Sequence, residues 1–405
     1  MRERLRALGK NLLLVILGCG VGFGGLELGA RMILLSRPPG KSGEQAAYTI
    51  FDPVLGWRNK PGAAVTYNRR EYKTTVEINS LGFRDVERSV AKPKDRPRIL
   101  VLGDSFVEAY SVERDQSLTR RLEGLAEEAG CPADVVNAGV HGYSTDQEAL
   151  WYAREGEPLG ADIVAIAVYY NDIIHTVRSR YSGSPKPLVE VQDGVLTPIN
   201  TPLPRSAPRT GPAIGTVRRD IEGSALKTLI LDRLFTGAPR LHQRLAGIGL
   251  LEPYEAETVP AELRVYKTRG QLPEIEAAWS RTEAILGSLG ATIRARGAAP
   301  ALVHIPALFE VSARAFDLTV LRYGLTREAW AESRVRTRLG EIAASTGFAF
   351  LDLSPALRAS VSLIAGEPYF PYDGHWNAMG HEVAARALLS FLHDRALLSC
   401  KRLPT

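Results

Sequence analysis

Short continuous apolar runs recur along this chain, and they constrain its fold more than any other feature. Such runs, rich in β-branched side chains and bounded by polar residues, are typical of strands buried on both faces of a parallel sheet. We therefore predict strands at Ile99–Leu102, Val135–Val136, Ile163–Val168, Ala301–Val303 and Phe348–Leu351.

Segments with helical character separate these strands. One helix is predicted to end near Ala129, and a second begins at Thr145. A third packs inward from Ile275 to Ile293, a fourth spans Arg327–Ser345, and the last runs from Asn377 to about Leu392. Strands that alternate with helices predict an α/β fold, here a three-layer α/β/α sandwich around a parallel sheet with right-handed crossovers.

Residues 176–270 interrupt this alternation. We interpret them as an insertion, within a domain predicted over residues 97–398, that shapes or covers a site. An Asp-Gly turn between two β-type runs predicts a hairpin from Leu188 to Leu196. An amphipathic helix is predicted at Leu226–Phe235.

Residues 1–37 have the pattern of a membrane anchor. Basic residues precede an uncharged run from Leu12 to Leu26, and apolar residues continue to Leu35. This predicts an uncleaved signal-anchor in the cytoplasmic membrane, a single spanning helix that leaves the rest of the chain periplasmic or extracellular. Because the run is shorter than the ~20 residues that span a bilayer comfortably, a cleaved signal peptide is the alternative. Residues 38–96 are predicted as a linker and a small β-rich extension.

Charge and cysteine content argue against a nucleic-acid-binding protein and against a metal-binding protein. Lysine and arginine total 50 against 45 acids, without basic blocks interleaved with aromatics, so we expect no nucleic-acid partner. Cys19, Cys131 and Cys400 form no CxxC pair and no zinc-type spacing with histidine, so we expect no metal. Cys131 and Cys400 could pair in an oxidising compartment, but two unpaired structural cysteines are the favoured interpretation.

Polar clusters follow three of the predicted strands where the strands end. They are Gly103–Phe106, Asn137–Gly142 and Asn171-Asp172. The carboxyl ends of parallel strands meet at one edge of a sheet, and sites form there. The N–H of Ser105 at a helix start, a glycine N–H and the Asn171 amide are each able to bind an oxyanion. Taken alone, each cluster is equally an ordinary turn or helix cap.

A fourth cluster, Asp373-Gly374-His375, precedes the last helix. A serine nucleophile needs a histidine base that an acid orients, and Asp373 and His375 can share one turn. We interpret His304 and His381 as structural, because neither lies in a strand-exit loop with such an acid beside it.

Together these blocks resemble the SGNH/GDSL hydrolase family, over roughly Arg98 to Asp172 and Ala301 to Leu392. The D-x-H spacing departs from the family's usual D-x-x-H and is similar to relatives that act in bacterial polysaccharide acetylation. The segment from Ile78 to Asp85 resembles one found in membrane-anchored bacterial members.

The resemblance implies a flavodoxin-like sheet and a role for each site residue. Ser105 is the expected nucleophile, His375 the base and Asp373 the acid that orients it. The expected oxyanion hole consists of Ser105, Gly142 and Asn171, and no cofactor is expected.

The sequence thus predicts a serine-dependent esterase that acts outside the cytoplasm on an acetylated glycan or a small acyl ester. An O-acetyltransferase that modifies an envelope or exported polysaccharide is the first alternative. A non-catalytic scaffold of an envelope assembly is the second, and the intact set of site residues favours an enzyme over it.

Overall fold

The computed structural model describes residues 18–33, 42–205, 226, 230, 238–248, 259–268, 272–323, 325–361 and 366–403. By its internal contacts the chain divides into two units. One consists of Met1–Gly43 and Ala207–Tyr254, and the other of Glu44–Ser206 and Glu255–Thr405. The second unit contains all of the predicted site residues.

The strands, in chain order, are β1 (Thr49–Asp52), β2 (Gly56–Asn59), β3 (Ala64–Asn68), β4 (Lys73–Glu77), β5 (Arg98–Gly103), β6 (Asp134–Gly139), β7 (Ile163–Val168), β8 (Arg180–Tyr181), β9 (Ser184–Pro185), β10 (Val189–Gln192), β11 (Val195–Pro198), β12 (Ala299–His304) and β13 (Ala349–Asp352). The helices lie at residues 18–33 and at Ser42–Tyr48, Ser105–Glu108, Leu118–Glu128, Thr145–Trp151, Tyr170–His175, Pro239–Gly247, Pro273–Ala295, Leu308–Val311, Ala313–Tyr323, Arg334–Thr346, Ser354–Ser360 and Ala378–Asp394.

The five predicted strands form one parallel sheet in the order β13-β12-β7-β5-β6. Counted along the chain, this is the 2-1-3-4-5 order of the flavodoxin-like doubly wound fold. The structure therefore confirms the predicted parallel α/β sheet. Every residue of β5, β6 and β7 is buried, which explains why these strands appear in the sequence as apolar runs.

Helices cover both faces of this sheet. Side chains alternate along a strand, so Leu100 and Leu102 pack in one apolar core with helix Pro273–Ala295. Ile99 and Val101 point the other way and pack in a second core with helix Ala378–Asp394. Two cores on opposite faces give the predicted three-layer sandwich.

Antiparallel hairpins lie outside the sheet. β1 pairs with β2 and β3 pairs with β4, both ahead of the first strand of the sheet. β8 pairs with β9, and β10 pairs with β11. The β10–β11 pair confirms the hairpin predicted from Leu188 to Leu196.

The cysteine prediction was wrong, because Cys131 and Cys400 form a disulfide with 4.6 Å between their Cα atoms. The C-terminal segment returns beside the end of helix Leu118–Glu128, where the Lys401 N–H donates to the Ala129 carbonyl at 3.0 Å. The two cysteines are 269 residues apart in sequence, and local sequence patterns carry no sign of so distant a contact.

Of two other predicted helices, one is shorter than predicted and one is barely covered by the described residues. The helix predicted over Arg327–Ser345 begins only at Arg334. The preceding backbone instead pairs with a neighbouring segment, since the Thr268 N–H donates to the Ala329 carbonyl at 2.8 Å. The amphipathic helix predicted at Leu226–Phe235 lies almost entirely outside the described residues.

Residues 18–33 of the predicted anchor are helical, and the rest of it lies outside the described residues. Within the part of the chain that the structure describes, no helix combines the length and the apolar character that crossing a membrane requires.

Candidate active site

Ser105 lies directly after the strand β5, at the first position of the short helix Ser105–Glu108. The carboxylate of Asp104 caps this helix by accepting the Phe106 N–H at 2.8 Å. Ser105 is buried, with 8% of its surface exposed. The strand end and the capped turn thus fix the position of its hydroxyl group.

His375 and Asp373 complete a hydrogen-bonded chain with this serine. His375 Nε2 lies 2.8 Å from Ser105 Oγ, and His375 Nδ1 lies 2.5 Å from Asp373 Oδ1. When Nδ1 carries the proton and donates to the carboxylate, Nε2 is left as an acceptor for the serine hydroxyl. The structure thus brings together the three residues that the sequence singled out.

The loop that carries Asp373 and His375 folds tightly. Gly374 adopts a φ of +83°, a left-handed conformation that glycine reaches without strain. The Phe370 N–H donates to the His375 carbonyl at 2.8 Å, and the Gly374 N–H donates to the Phe370 carbonyl at the same distance. This turn lets an acid and a base only two residues apart meet, so the shortened D-x-H spacing is compatible with a hydrogen-bonded pair.

Two aromatic rings hold the imidazole from its sides. The Phe106 ring lies 4.7 Å from the His375 ring at an interplanar angle of 33°. The Tyr110 ring lies 5.0 Å away at 63°. These contacts restrict rotation of the base and reduce its access to water.

The two predicted oxyanion residues follow the strands that flank β5. Gly103 at the end of β5 pairs with Gly139 of β6 and with Ala167 of β7. Gly142 therefore follows one neighbour and Asn171 the other, at the edge of the sheet where Ser105 lies. The side-chain carbonyl of Asn171 is buried and, within the described residues, has no hydrogen-bond partner.

Gly142 is required by its surroundings as well as by its backbone. Its φ is +76°, and a Cβ atom there would lie 2.5 Å from Cε1 of Tyr181. Any larger residue would therefore displace the Tyr181 ring or the backbone. Tyr181 belongs to β8, so the region predicted as an insertion packs against this loop.

Three residues at the site have no local signal in the sequence. Tyr110 Oη lies 3.2 Å from His375 Nδ1 and donates to Asp373 Oδ1 at 3.4 Å. Tyr72 Oη donates to Asp373 Oδ2 at 3.0 Å, and Glu71 accepts the Asp373 N–H at 2.7 Å. Tyr72 and Glu71 precede Asp373 by about 300 residues, so only the folded chain identifies them.

Three acids of this unit, Asp104, Glu148 and Asp172, are buried. Burial raises the pKa of Asp104 to about 6. Burial, and then the charge of Asp104, raise the pKa values of Glu148 and Asp172 well above their ordinary range. Burial thus favours the neutral form of each of these carboxyl groups.

The two histidines interpreted as structural are both buried. His304 Nδ1 lies 2.9 Å from Asp352, and the nearby acids raise the pKa of His304 to about 9 despite its burial. His381 accepts the Leu118 N–H at 3.2 Å, and burial lowers its pKa to about 3. Each has partners that explain its presence without catalysis.

No protein-family profile matches the chain, and no curated protein is significantly similar to it. Solved structures that it resembles include TesA, with 13% sequence identity and a TM-score of 0.35 over 73% of this chain and 98% of that one. Axe2, an acetylxylan esterase from Geobacillus stearothermophilus, has 13% sequence identity and a TM-score of 0.37 over 73% of this chain and 94% of that one. LAE5, an alpha/beta hydrolase from a lake metagenome, has 14% sequence identity and a TM-score of 0.35 over 73% of this chain and 94% of that one.

Proposed function

We propose that this chain is a serine-dependent ester hydrolase with Ser105 as its nucleophile. The observation that carries the proposal is the continuous hydrogen-bonded chain from Ser105 through His375 to Asp373, with distances of 2.8 Å and 2.5 Å. A serine hydroxyl becomes a useful nucleophile when an oriented base lies within hydrogen-bond reach, and both conditions are met here.

In the first half of the reaction His375 Nε2 takes the Ser105 proton while Oγ attacks the ester carbonyl carbon. Asp373 accepts the hydrogen bond from Nδ1–H and stabilises the imidazolium that forms. His375 then gives the proton to the leaving alcohol, and an acyl-enzyme remains. In the second half His375 activates a water molecule, which releases the acid and regenerates the serine.

The negative charge on the substrate oxygen needs donors at the sheet edge. We assign this role to the N–H groups of Ser105 and Gly142 and to the Asn171 amide. The support is the strand register, which places the three segments on adjacent strand ends. Donors fixed in advance of the reaction stabilise such a charge without further reorganisation.

The test is turnover of p-nitrophenyl acetate by the full chain in mild detergent. Ser105→Ala and His375→Ala should each lower kcat by roughly 10⁴ or more. Ser345→Ala is the matched control, because that hydroxyl bonds to Glu283 on the surface and should leave turnover unchanged. A folded wild type that neither turns over the ester nor is labelled by a fluorophosphonate would contradict the proposal.

The proposed natural substrate is an acetylated glycan or a small acyl ester, and the fate of the acetyl group separates hydrolysis from transfer. With an acetylated oligosaccharide as donor and a second sugar as acceptor, we expect free acetate as the product. Acetate on the acceptor sugar would instead indicate an O-acetyltransferase that uses the same three residues.

We also propose that the catalytic unit lies outside the cytoplasm and that the N-terminal segment anchors it to the membrane. The Cys131–Cys400 disulfide supports an oxidising compartment. The apolar side chains of Val21, Leu26 and Met32 are more than half exposed along the helix of residues 18–33, which supports a lipid environment. A phosphatase reporter fused after residue 40 should be active, and an inactive, cytoplasmic reporter would overturn this topology.

A further inference from the structure

The turn between β3 and β4 contacts the loop that carries Asp373. We call residues 69–72 the hairpin tip. This hairpin lies outside the parallel sheet and belongs to the same unit.

Glu71 of the hairpin tip holds the backbone of this loop. Its two carboxylate oxygens accept the N–H groups of Tyr372 at 3.0 Å and of Asp373 at 2.7 Å. Hydrogen bonds to a charged acceptor are stronger than those between neutral groups. Arg70 adds a second contact, because its guanidinium lies 4.3 Å from the centre of the Tyr372 ring.

Tyr72 holds the side chain of Asp373 itself. Its hydroxyl donates to Oδ2 at 3.0 Å, while Oδ1 accepts from His375. The two oxygens are therefore divided between the hairpin tip and the base. Burial, and then the charge of Asp373, raise the pKa of Tyr72 well above its ordinary value, so Tyr72 stays a neutral donor.

The hairpin itself is held firmly. Thr74 donates to the Tyr110 carbonyl at 2.7 Å, and the Tyr67 ring packs 5.0 Å from the Tyr110 ring. Arg69 makes two hydrogen bonds to Glu44 at 2.6 and 2.8 Å. A donor mounted on such a support restricts rotation of the carboxylate that it holds.

We propose that Glu71 and Tyr72 are positioning residues that the N-terminal extension contributes to the active site, and that they aim Asp373 at His375. This inference rests on the proposed function of the Ser105 site. It assigns the extension a part in activity rather than only in stability. It also explains how an acid on a short D-x-H turn, with a flexible glycine beside it, keeps one orientation.

The decisive variant is Tyr72→Phe, which removes the donor and keeps the ring that packs 5.0 Å from Phe370. We expect kcat to fall about tenfold with KM nearly unchanged, since Tyr72 acts on Asp373 and through it on His375. A carboxylate that is no longer aimed at His375 should stabilise the imidazolium less. The acidic limb of the kcat/KM profile should therefore move to lower pH by several tenths of a unit.

Tyr67→Phe is the matched control. It removes another buried hydroxyl group from the same hairpin, one that lies 3.3 Å from Tyr48 Oη and does not touch the loop of Asp373. Its kcat and its acidic limb should match the wild type. Glu71→Gln, which leaves one carbonyl acceptor, should lose less activity than Glu71→Ala. An unchanged acidic limb in Tyr72→Phe, or one that moves to higher pH, overturns the proposal.

A readout without turnover separates this proposal from the proposed function. NMR titration of His375, assigned by the loss of its signal in His375→Ala, should show the same downward shift for Tyr72→Phe. The other titratable groups that face His375 are Asp373, Tyr110, Asp104 and His381, and all are retained in this variant. A downward shift without esterase activity supports the positioning role and refutes only the esterase. No downward shift refutes the positioning role even in an active enzyme.

Discussion

Breaking the Cys131–Cys400 disulfide is expected to lower the thermal stability of the unit that bears the sheet. The bond closes a loop of 269 residues that contains four of the five strands of the sheet. For a loop of that length, the loss of chain entropy in the unfolded state corresponds to about 5–6 kcal/mol at 25 °C. Because measured effects reach only about 5 kcal/mol, we expect roughly 3–5 kcal/mol.

This free energy converts into a modest shift of the melting temperature, because the chain is large. An unfolding entropy of about 2.1 cal/mol/K per residue, over the roughly 314 residues of this unit, gives about 0.66 kcal/mol per degree. The loss of the disulfide should therefore lower Tm by about 5–8 °C.

The assay is thermal unfolding of the full chain in mild detergent, followed by circular dichroism. Cys19→Ser serves as background and control, because Cys19 is exposed and free and can form unwanted intermolecular bonds. Cys400→Ser in that background should show the full shift, and reductant should reproduce it in the background protein only. Equal Tm values for the two proteins under oxidising conditions would refute the reasoning.

Three further predictions concern the site. Asp373→Asn should lower ester-hydrolysis kcat by about 10⁴, because an amide orients the wrong imidazole tautomer; a loss below tenfold would argue against its role. Gly142→Ala should lower kcat about 10²-fold through the contact with Tyr181, and adding Tyr181→Leu should restore part of it; no restoration would mean that backbone strain dominates. Burial raises the pKa of Glu108 from 4.5 to about 7, so the native state holds an extra proton between these values. The free energy of unfolding should therefore fall by about 3 kcal/mol as pH rises from 4.5 to 8, and Glu108→Gln should flatten this fall in urea titrations at each pH.

The sheet could be predicted closely because complete burial leaves a local trace. The strand predicted at Ile163–Val168 is β7 with the same ends, since all of its side chains must be apolar. The helix predicted over Arg327–Ser345 was less accurate. Its first residues have helical spacing, but hydrogen bonds such as that between Thr268 and Ala329 hold them in another conformation.

The proximity of Ser105 and His375 was also predictable, for a different reason. Ser105 follows a buried strand at the start of a helix, and His375 has Asp373 two residues before it, so each lies in a short, recognisable context. A parallel sheet then brings its strand ends to one edge whatever the lengths of the connections.

The sequence by itself thus determined the layering of the fold and the residues able to form a serine–histidine–aspartate chain, because these depend on local periodicity and on position relative to strand ends. The tertiary structure alone decided which groups surround Asp373 and which cysteines pair. Tyr72 meets Asp373 across 301 residues and Cys131 meets Cys400 across 269. Contacts of that range are set by how packed elements meet in space, and they impose no repeat or spacing on the residues nearby.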